Sequence, residues 1–337
     1  MGRNYRRMKK IILLATLIFA SCSSSSGEDV TIINPELTDI ISAQASIEYL
    51  TDKVYEVSEG PVWSPQHQGL LFTDVAANKM YLWKEGQGVS VYLAPSGFTS
   101  YAPTFENGSN GANGVVYYGN QLILCQHGDR RVAYIEAIEG TKPTFGTLVD
   151  TYQGKRFNSP NDLVISRKGD FYFTDPPYGL YNKETNSYDE ELYREIPFNG
   201  IFQYSAAGEV ILISKELSRP NGIALSLDER YLYVNNSDPK MPLMMRYEVT
   251  NNWQEDVFFD GSKLAAKYDG NFDGMKVHSS GHIFTTGPNG ILILSPTGEL
   301  MGTINFGKAI TNCAFDTTET YLYVTTFDRL ARIKLKP

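Results

Sequence analysis

The sequence predicts an all-β protein, a six-bladed β-propeller with a metal site in its central channel, and three observations carry that expectation. A short phrase with Asn, Asp or Glu at its head and an apolar run behind it recurs six times: Glu59-Gly-Pro-Val-Trp63, Asn113-Gly-Val-Val-Tyr117, Asn161-Asp-Leu-Val-Ile165, Asn221-Gly-Ile-Ala-Leu225, Asp273-Gly-Met-Lys-Val277 and Asn312-Cys-Ala-Phe315. The heads lie 54, 48, 60, 52 and 39 residues apart, and strand-like repeats of about this period make one propeller blade each. After each phrase comes a turn and an aromatic-alternating strand, and no segment beyond the first residues shows a helical period.

The elements follow in chain order. Residues 1–22 form a lipoprotein-type signal rather than part of the fold: Arg3, Arg6, Arg7, Lys9 and Lys10 precede an apolar run over Ile11–Phe19 that is too short for a resident membrane span. The run ends in Phe19-Ala20-Ser21-Cys22, which resembles a bacterial lipobox and implies lipidation of Cys22. The expected location is the bacterial cell envelope, periplasmic or surface-exposed. Residues 23–42 open on four serines and read as a flexible, polar tether, and 43–337 as the propeller. The segment from Ala43 to about Tyr55 can supply an outer strand to the last blade and close the ring.

Within the blades the second strands are Gly69–Asp74, Asn120–Cys125, Gly169–Asp175, Arg230–Asn235, Gly281–Thr286 and Thr320–Thr325, with third strands such as Lys79–Trp83 and Gly290–Leu294. The 22 tyrosines and a 42% hydrophobic content suit half-buried pleated surfaces and a sizeable core. Two insertions, 95–110 and 176–198, are long enough to cover a binding face. Cys125 and Cys313 fall in different blades and read as buried thiols, although the compartment would permit a disulfide.

Removing residues 1–21 leaves 25 basic against 38 acidic side chains, a formal charge of −13. So acidic a domain is a poor nucleic-acid partner, and no protein partner is indicated.

Equivalent positions in a propeller meet at the axis, so the six heads would form a ring of oxygen donors. Glu59, Asn161, Asn221 and Asp273 combine two carboxylates with two amides, a hard-donor set suited to Ca²⁺ rather than to the His and Cys ligands zinc prefers. Asn-Gly and Asp-Gly are also common turn dipeptides, and for Asn113 and Asn312 channel lining and turn both stand. His127, at the end of a blade-two strand, is a candidate general base. Asp175 either lines the pocket, binds a second cation, or repeats the strand-end role of Asp74. Tyr178 and Tyr181 can stack on a sugar ring.

Glu59-Gly-Pro-Val-Trp63, Arg156-Phe-Asn-Ser-Pro-Asn-Asp162, Phe173-Thr-Asp-Pro-Pro-Tyr-Gly-Leu180, Arg219-Pro-Asn-Gly-Ile223 and Asp273-Gly-Met275 together resemble the regucalcin (senescence marker protein) and gluconolactonase family of six-bladed propellers, over residues 50–337. The resemblance implies one axial divalent cation, Ca²⁺ or in some members Zn²⁺ or Mn²⁺, on Glu59, Asn161, Asn221 and Asp273. It further implies hydrolysis of a sugar lactone with Asp273 as base and bears on Arg156 as a substrate contact; Asn113, from its phase in the repeat, and Tyr178, from its place in the insertion, are the other candidate substrate contacts. The family's Arg-x-Asn-Asp order is interrupted here by extra residues after Arg156. Arylesters, phosphotriesters and acyl-lactones are alternative substrates on the same scaffold, and a calcium- or sugar-binding propeller without turnover is the non-enzymatic alternative.

Overall fold

The structure, a computed structural model, describes residues 29–105, 108–188 and 190–336. The heads of the repeat start or lie just ahead of the innermost strands: Ser58–Ser64, Ala112–Tyr118, Leu163–Ile165, Pro220–Leu225, Met275–Val277 and Ile310–Phe315. Each is followed outward by antiparallel neighbours, giving six separate blades of four or five strands. The expected second strands appear within a residue or two, and the alternation of apolar residues along them buries one face of each blade against the next. Phe72, Leu124, Phe173, Val234, Phe284 and Val324 are fully buried at this level. Cys125 and Cys313 are free, buried thiols packed in two different core clusters.

The ring closes as expected: Ile47–Tyr49 pairs antiparallel with Arg329–Lys334, so residues near the start complete the last blade. The tether, however, is shorter than 23–42. Val30–Ile32 adds a fifth strand to blade 5 against Leu300–Ile304, and a 3₁₀ turn over Pro35–Asp39 follows, capped by the Asn34 side chain on the Glu36 amide. Leu37 and Ile41 are fully buried. These apolar residues, hidden between polar neighbours, have no strand periodicity of their own, which is why the segment reads as tether in sequence. The proposed signal and Cys22 lie outside the described residues.

The head phrases are not turns. In blades 1, 2, 4 and 6 each sits at a register shift between the innermost strand and its neighbour, as at Glu59/Val62 and Pro220/Ile223, and such bulges re-aim side chains. The glycine after the head answers a different need. A Cβ on Gly222 would lie 2.0 Å from the Asp273 carbonyl oxygen, and one on Gly60 only 1.9 Å from that of Asn113. Each glycine therefore lets its strand pack directly on the head of the next blade. Backbone bonds cross the same seam, Gly114 N–H to Asn161 O (2.7 Å) and Gly222 N–H to Asp273 O (3.1 Å).

A second repeat reinforces the ring. In blades 1, 3 and 4 the second strand ends in a polar pair whose first member reaches the following blade: Thr73 Oγ1 donates to Asn113 O (3.2 Å), Thr174 Oγ1 to Asn221 O (2.8 Å) and Asn235 Nδ2 to Asp273 O (2.7 Å). The second member clamps the segment entering its own blade. Asp74 accepts from the Glu56 and Val57 amides, Asp175 from Asn158 and Ser159, and Asn236 from Arg219. Asp175 is thus the blade-repeat feature it shares with Asp74.

Candidate functional site

At one mouth of the channel lies a cavity of about 400 Å³ whose lining includes Glu59, Asn113, His127, Asn161, Tyr178, Asn221 and Asp273. Seven residues scattered over more than 200 positions of sequence are thereby brought together. Arg156 is not among them. It lies in a short hairpin, with its guanidinium 3.8 Å from the Asp150 carboxylate and stacked over Tyr101, and its backbone N–H donates to Glu195. The extra residues between Arg156 and Asn161 carry it outward. Asn312 lies beside the cavity, where its Nδ2 donates to Glu59 Oε2 (3.1 Å) and its Oδ1 accepts from the Cys313 amide.

The two insertions meet over this mouth. Thr104 Oγ1 donates to the Gly179 carbonyl (3.2 Å), and the Phe105 and Tyr193 rings pack edge to face at 4.8 Å. Tyr178 hangs from this cover into the cavity, hydrogen-bonded to Ser237. Burial raises its pKa well above that of a free phenol, so the hydroxyl remains protonated. Tyr188 packs against Tyr178 at 6.2 Å, with Arg219 5.5 Å over the Tyr188 ring.

The electrostatics of the channel are unusual for a protein interior. Glu59 and Asp162 are each 3% exposed, and Asp273 is half-buried with its Oδ1 shielded from solvent. Burial raises the pKa of each, and for Glu59 and Asp273 the other carboxylates raise it further. Lys276 offsets part of this, from below Asn312. His127 is pushed down to about 4 by burial, so its imidazole is neutral near pH 7.

Several donors are already committed. Gly60 N–H donates to Glu59 Oε2 (2.8 Å). Asn161 Nδ2 faces His127 Nε2 (3.3 Å), whose other nitrogen faces the Ser109 carbonyl (3.2 Å). Asn221 Nδ2 donates to Ser237 Oγ (2.9 Å), the amide also hydrogen-bonds the Asp273 carboxylate, and the Ser237 hydroxyl donates to the Phe272 carbonyl. Left without a partner among the described residues that line the cavity are Asn113 Oδ1, Asn161 Oδ1 and Asp273 Oδ1, all buried, and Asp162 Oδ2 is likewise buried and unpartnered. Unpaired buried oxygens are costly, and three acceptors facing one acidic cavity fit a hard cation, with Glu59 and Asn221 beside them.

Sequence reasoning did not single out Ser237, Ser109 or Asp162 for roles here. The polar pairs that end the second strands were a legible signal for Ser237, which directly follows one of them. Ser109 acts through its carbonyl and left no side-chain signal.

Fold and cavity together define a six-bladed propeller with an acidic, oxygen-lined axial pocket. Residues 57–328 match the model of the SMP-30/Gluconolactonase/LRE-like region, and the chain belongs to that family. It is 36% identical to a gluconolactonase of Zymomonas mobilis over 91% of this chain and 86% of that one. Among solved structures, a gluconolactonase of Xanthomonas campestris superposes with a TM-score of 0.77 at 25% identity, covering 91% of this chain and 94% of that one. The calcium-binding protein regucalcin of Agrobacterium tumefaciens shares the fold, with a TM-score of 0.64 at 15% identity over 86% and 95% of the two chains.

Proposed function

We propose that this protein is a carboxylic ester hydrolase that opens a sugar lactone of the gluconolactone type, with a divalent cation, Ca²⁺ ahead of Zn²⁺ or Mn²⁺, held by Glu59, Asn161, Asn221 and Asp273. The observation that carries the reading is the set of unpartnered buried oxygens of Asn113, Asn161 and Asp273 in a carboxylate-lined cavity. The similarity to the Zymomonas gluconolactonase supports the substrate class. Ca²⁺ seated there would stabilise the charge that grows on the lactone carbonyl oxygen.

The side chains supply the rest. The Asp273 carboxylate takes a proton from the water whose oxygen bonds to the carbonyl carbon. The ring C–O bond then breaks, and the departing ring oxygen takes up a proton to leave an open-chain hydroxy acid. Tyr178, protonated and with its single proton engaged by Ser237, presents an oxygen that can accept from a sugar hydroxyl. Asn113 Oδ1 can accept from a sugar hydroxyl. His127 is less suited to act as base, because its Nε2 faces the Asn161 amide.

The test is hydrolysis of D-glucono-δ-lactone by the protein from residue 27 onward, after EDTA and after return of Ca²⁺, Zn²⁺ or Mn²⁺. Turnover that is lost and restored supports the reading. A protein that binds the ion but leaves this lactone intact, while cleaving an arylester, phosphotriester or acyl-lactone, moves the substrate class. One that cleaves none of them is a binder.

We also propose a lipid anchor at Cys22 that holds the protein in the bacterial cell envelope. Among the described residues no helix is long and apolar enough to cross a membrane.

A further inference from the structure

An asparagine ligand is useful to a cation only one way round: the carbonyl oxygen must face the ion and the NH₂ group must face away. The two ends are nearly equal in size, so shape alone does not choose between them. At Asn161 the choice is made by a chain of three groups. The Ser109 backbone carbonyl can only accept a hydrogen bond, so the facing His127 Nδ1, 3.2 Å away, carries the ring proton. A neutral imidazole with its proton on Nδ1 has a lone pair on Nε2. Nε2 lies 3.3 Å from Asn161 Nδ2, which must therefore donate to it. Asn161 Oδ1 is thereby turned the other way, and it is the atom left buried without a partner. His127 is only 1% exposed, and Gly179 of the cover packs against its Cβ and backbone carbonyl, which limits how far the side chain can swing aside.

We infer that His127 is a positioning residue that fixes the Asn161 side-chain amide with its carbonyl oxygen toward the cation site, rather than a group that exchanges protons with substrate. The inference rests on the cation site proposed above. Its role is that of the outer partners that orient metal ligands in general, whose loss lowers metal affinity about 10–100-fold.

The experiment measures Tb³⁺ binding by luminescence, with Ca²⁺ in competition, on the parent protein and on His127→Leu and His127→Gln. Leucine fills space without an acceptor. Glutamine retains an acceptor oxygen for Asn161 Nδ2. The expected result is a Ca²⁺ dissociation constant weakened about 10–100-fold in H127L and restored to within a few-fold of the parent in H127Q. In both, melting of the EDTA-treated protein shows that the fold persists; should H127L not fold, His127→Met replaces it as the variant without a nitrogen acceptor. Affinity within twofold of the parent in the leucine or methionine variant overturns the inference. Equal weakening in the variants with and without an acceptor also overturns it, because ring shape would then be what matters. A parent that binds neither ion overturns the cation reading itself, and this inference with it.

Discussion

Replacing Gly222 by alanine tests whether the repeat exists to bring the heads together at the axis. The added Cβ would meet three backbone atoms: the Asp273 carbonyl oxygen at 2.0 Å, the Gly274 Cα at 2.8 Å and the Asp273 carbonyl carbon at 2.9 Å. None is the end of a flexible side chain. Ordinary contact begins near 3.4 Å, so the innermost strands of blades 4 and 5 must part by about 1.4 Å against that oxygen, the difference of the two distances. The movement breaks the Gly222–Asp273 backbone hydrogen bond and separates Asn221 from Asp273. Overpacking of about 1–3 kcal/mol with a lost buried hydrogen bond of about 1 kcal/mol gives a destabilisation of about 3 kcal/mol. The control is Gly86→Ala, at φ +68° with nothing within 4 Å of a Cβ, where backbone strain alone costs about 1 kcal/mol. Urea unfolding of both variants, with Ca²⁺ affinity measured alongside, separates the two cases. If G222A loses no more stability than G86A and binds Ca²⁺ as the parent does, the head glycine is a turn residue and the close-packing account is wrong.

Four further outcomes are expected. Asp273→Asn keeps the shape but removes a ligand charge and the base, so lactone turnover falls about 10³-fold with an unchanged circular dichroism spectrum; undiminished turnover removes Asp273 from both roles. Saturating the parent with Ca²⁺ at about 100 times its Kd adds about 2.7 kcal/mol of stability and raises Tm by several degrees, a rise that EDTA reverses and D273N lacks. The buried imidazole of His127, at about 4 in the fold against about 6.5 unfolded, makes the unfolded chain bind more protons between those values. Its contribution is therefore complete above pH 6.5 and declines toward pH 4 by about 3 kcal/mol; the parent-minus-H127Q difference in urea stability should show this slope, and a flat difference would contradict it. Cys22→Ser should release the protein from the membrane fraction, and a variant that still sediments with membranes would exclude the lipid anchor.

Much of this architecture was legible because a propeller writes its geometry as a repeat. The phase of Glu59, Asn161, Asn221 and Asp273 pointed to four side chains that line one cavity, and the strand closing the last blade was visible as a surplus ahead of the first repeat. What escaped was non-periodic. Val30–Ile32 is too short to show alternation, and its pairing with Leu300–Ile304 is a contact across about 270 positions of sequence. Arg156 was carried into the site by resemblance alone, and the inserted residues beside it were the sign that its place had changed. His127 was noticed for its chemistry, but its bond to the Asn161 amide depends on a backbone carbonyl at Ser109 that no residue type encodes.

With the proposed lipid on Cys22, the strand at Val30–Ile32 would also act as a mooring. From Cys22 to Asp29 there are seven residue steps, and an extended chain gains at most about 3.5 Å per step, so a lipid on Cys22 would leave about 25 Å of slack. Asp29 is itself fastened, its carbonyl accepting from the Asn305 amide at the rim of blade 5. A propeller on so short a line would not tumble freely above a bilayer. The edge of blade 5 would stay near the lipid surface, and the direction from which small solutes reach the cavity mouth would be set by the angle at which the disc leans from that edge.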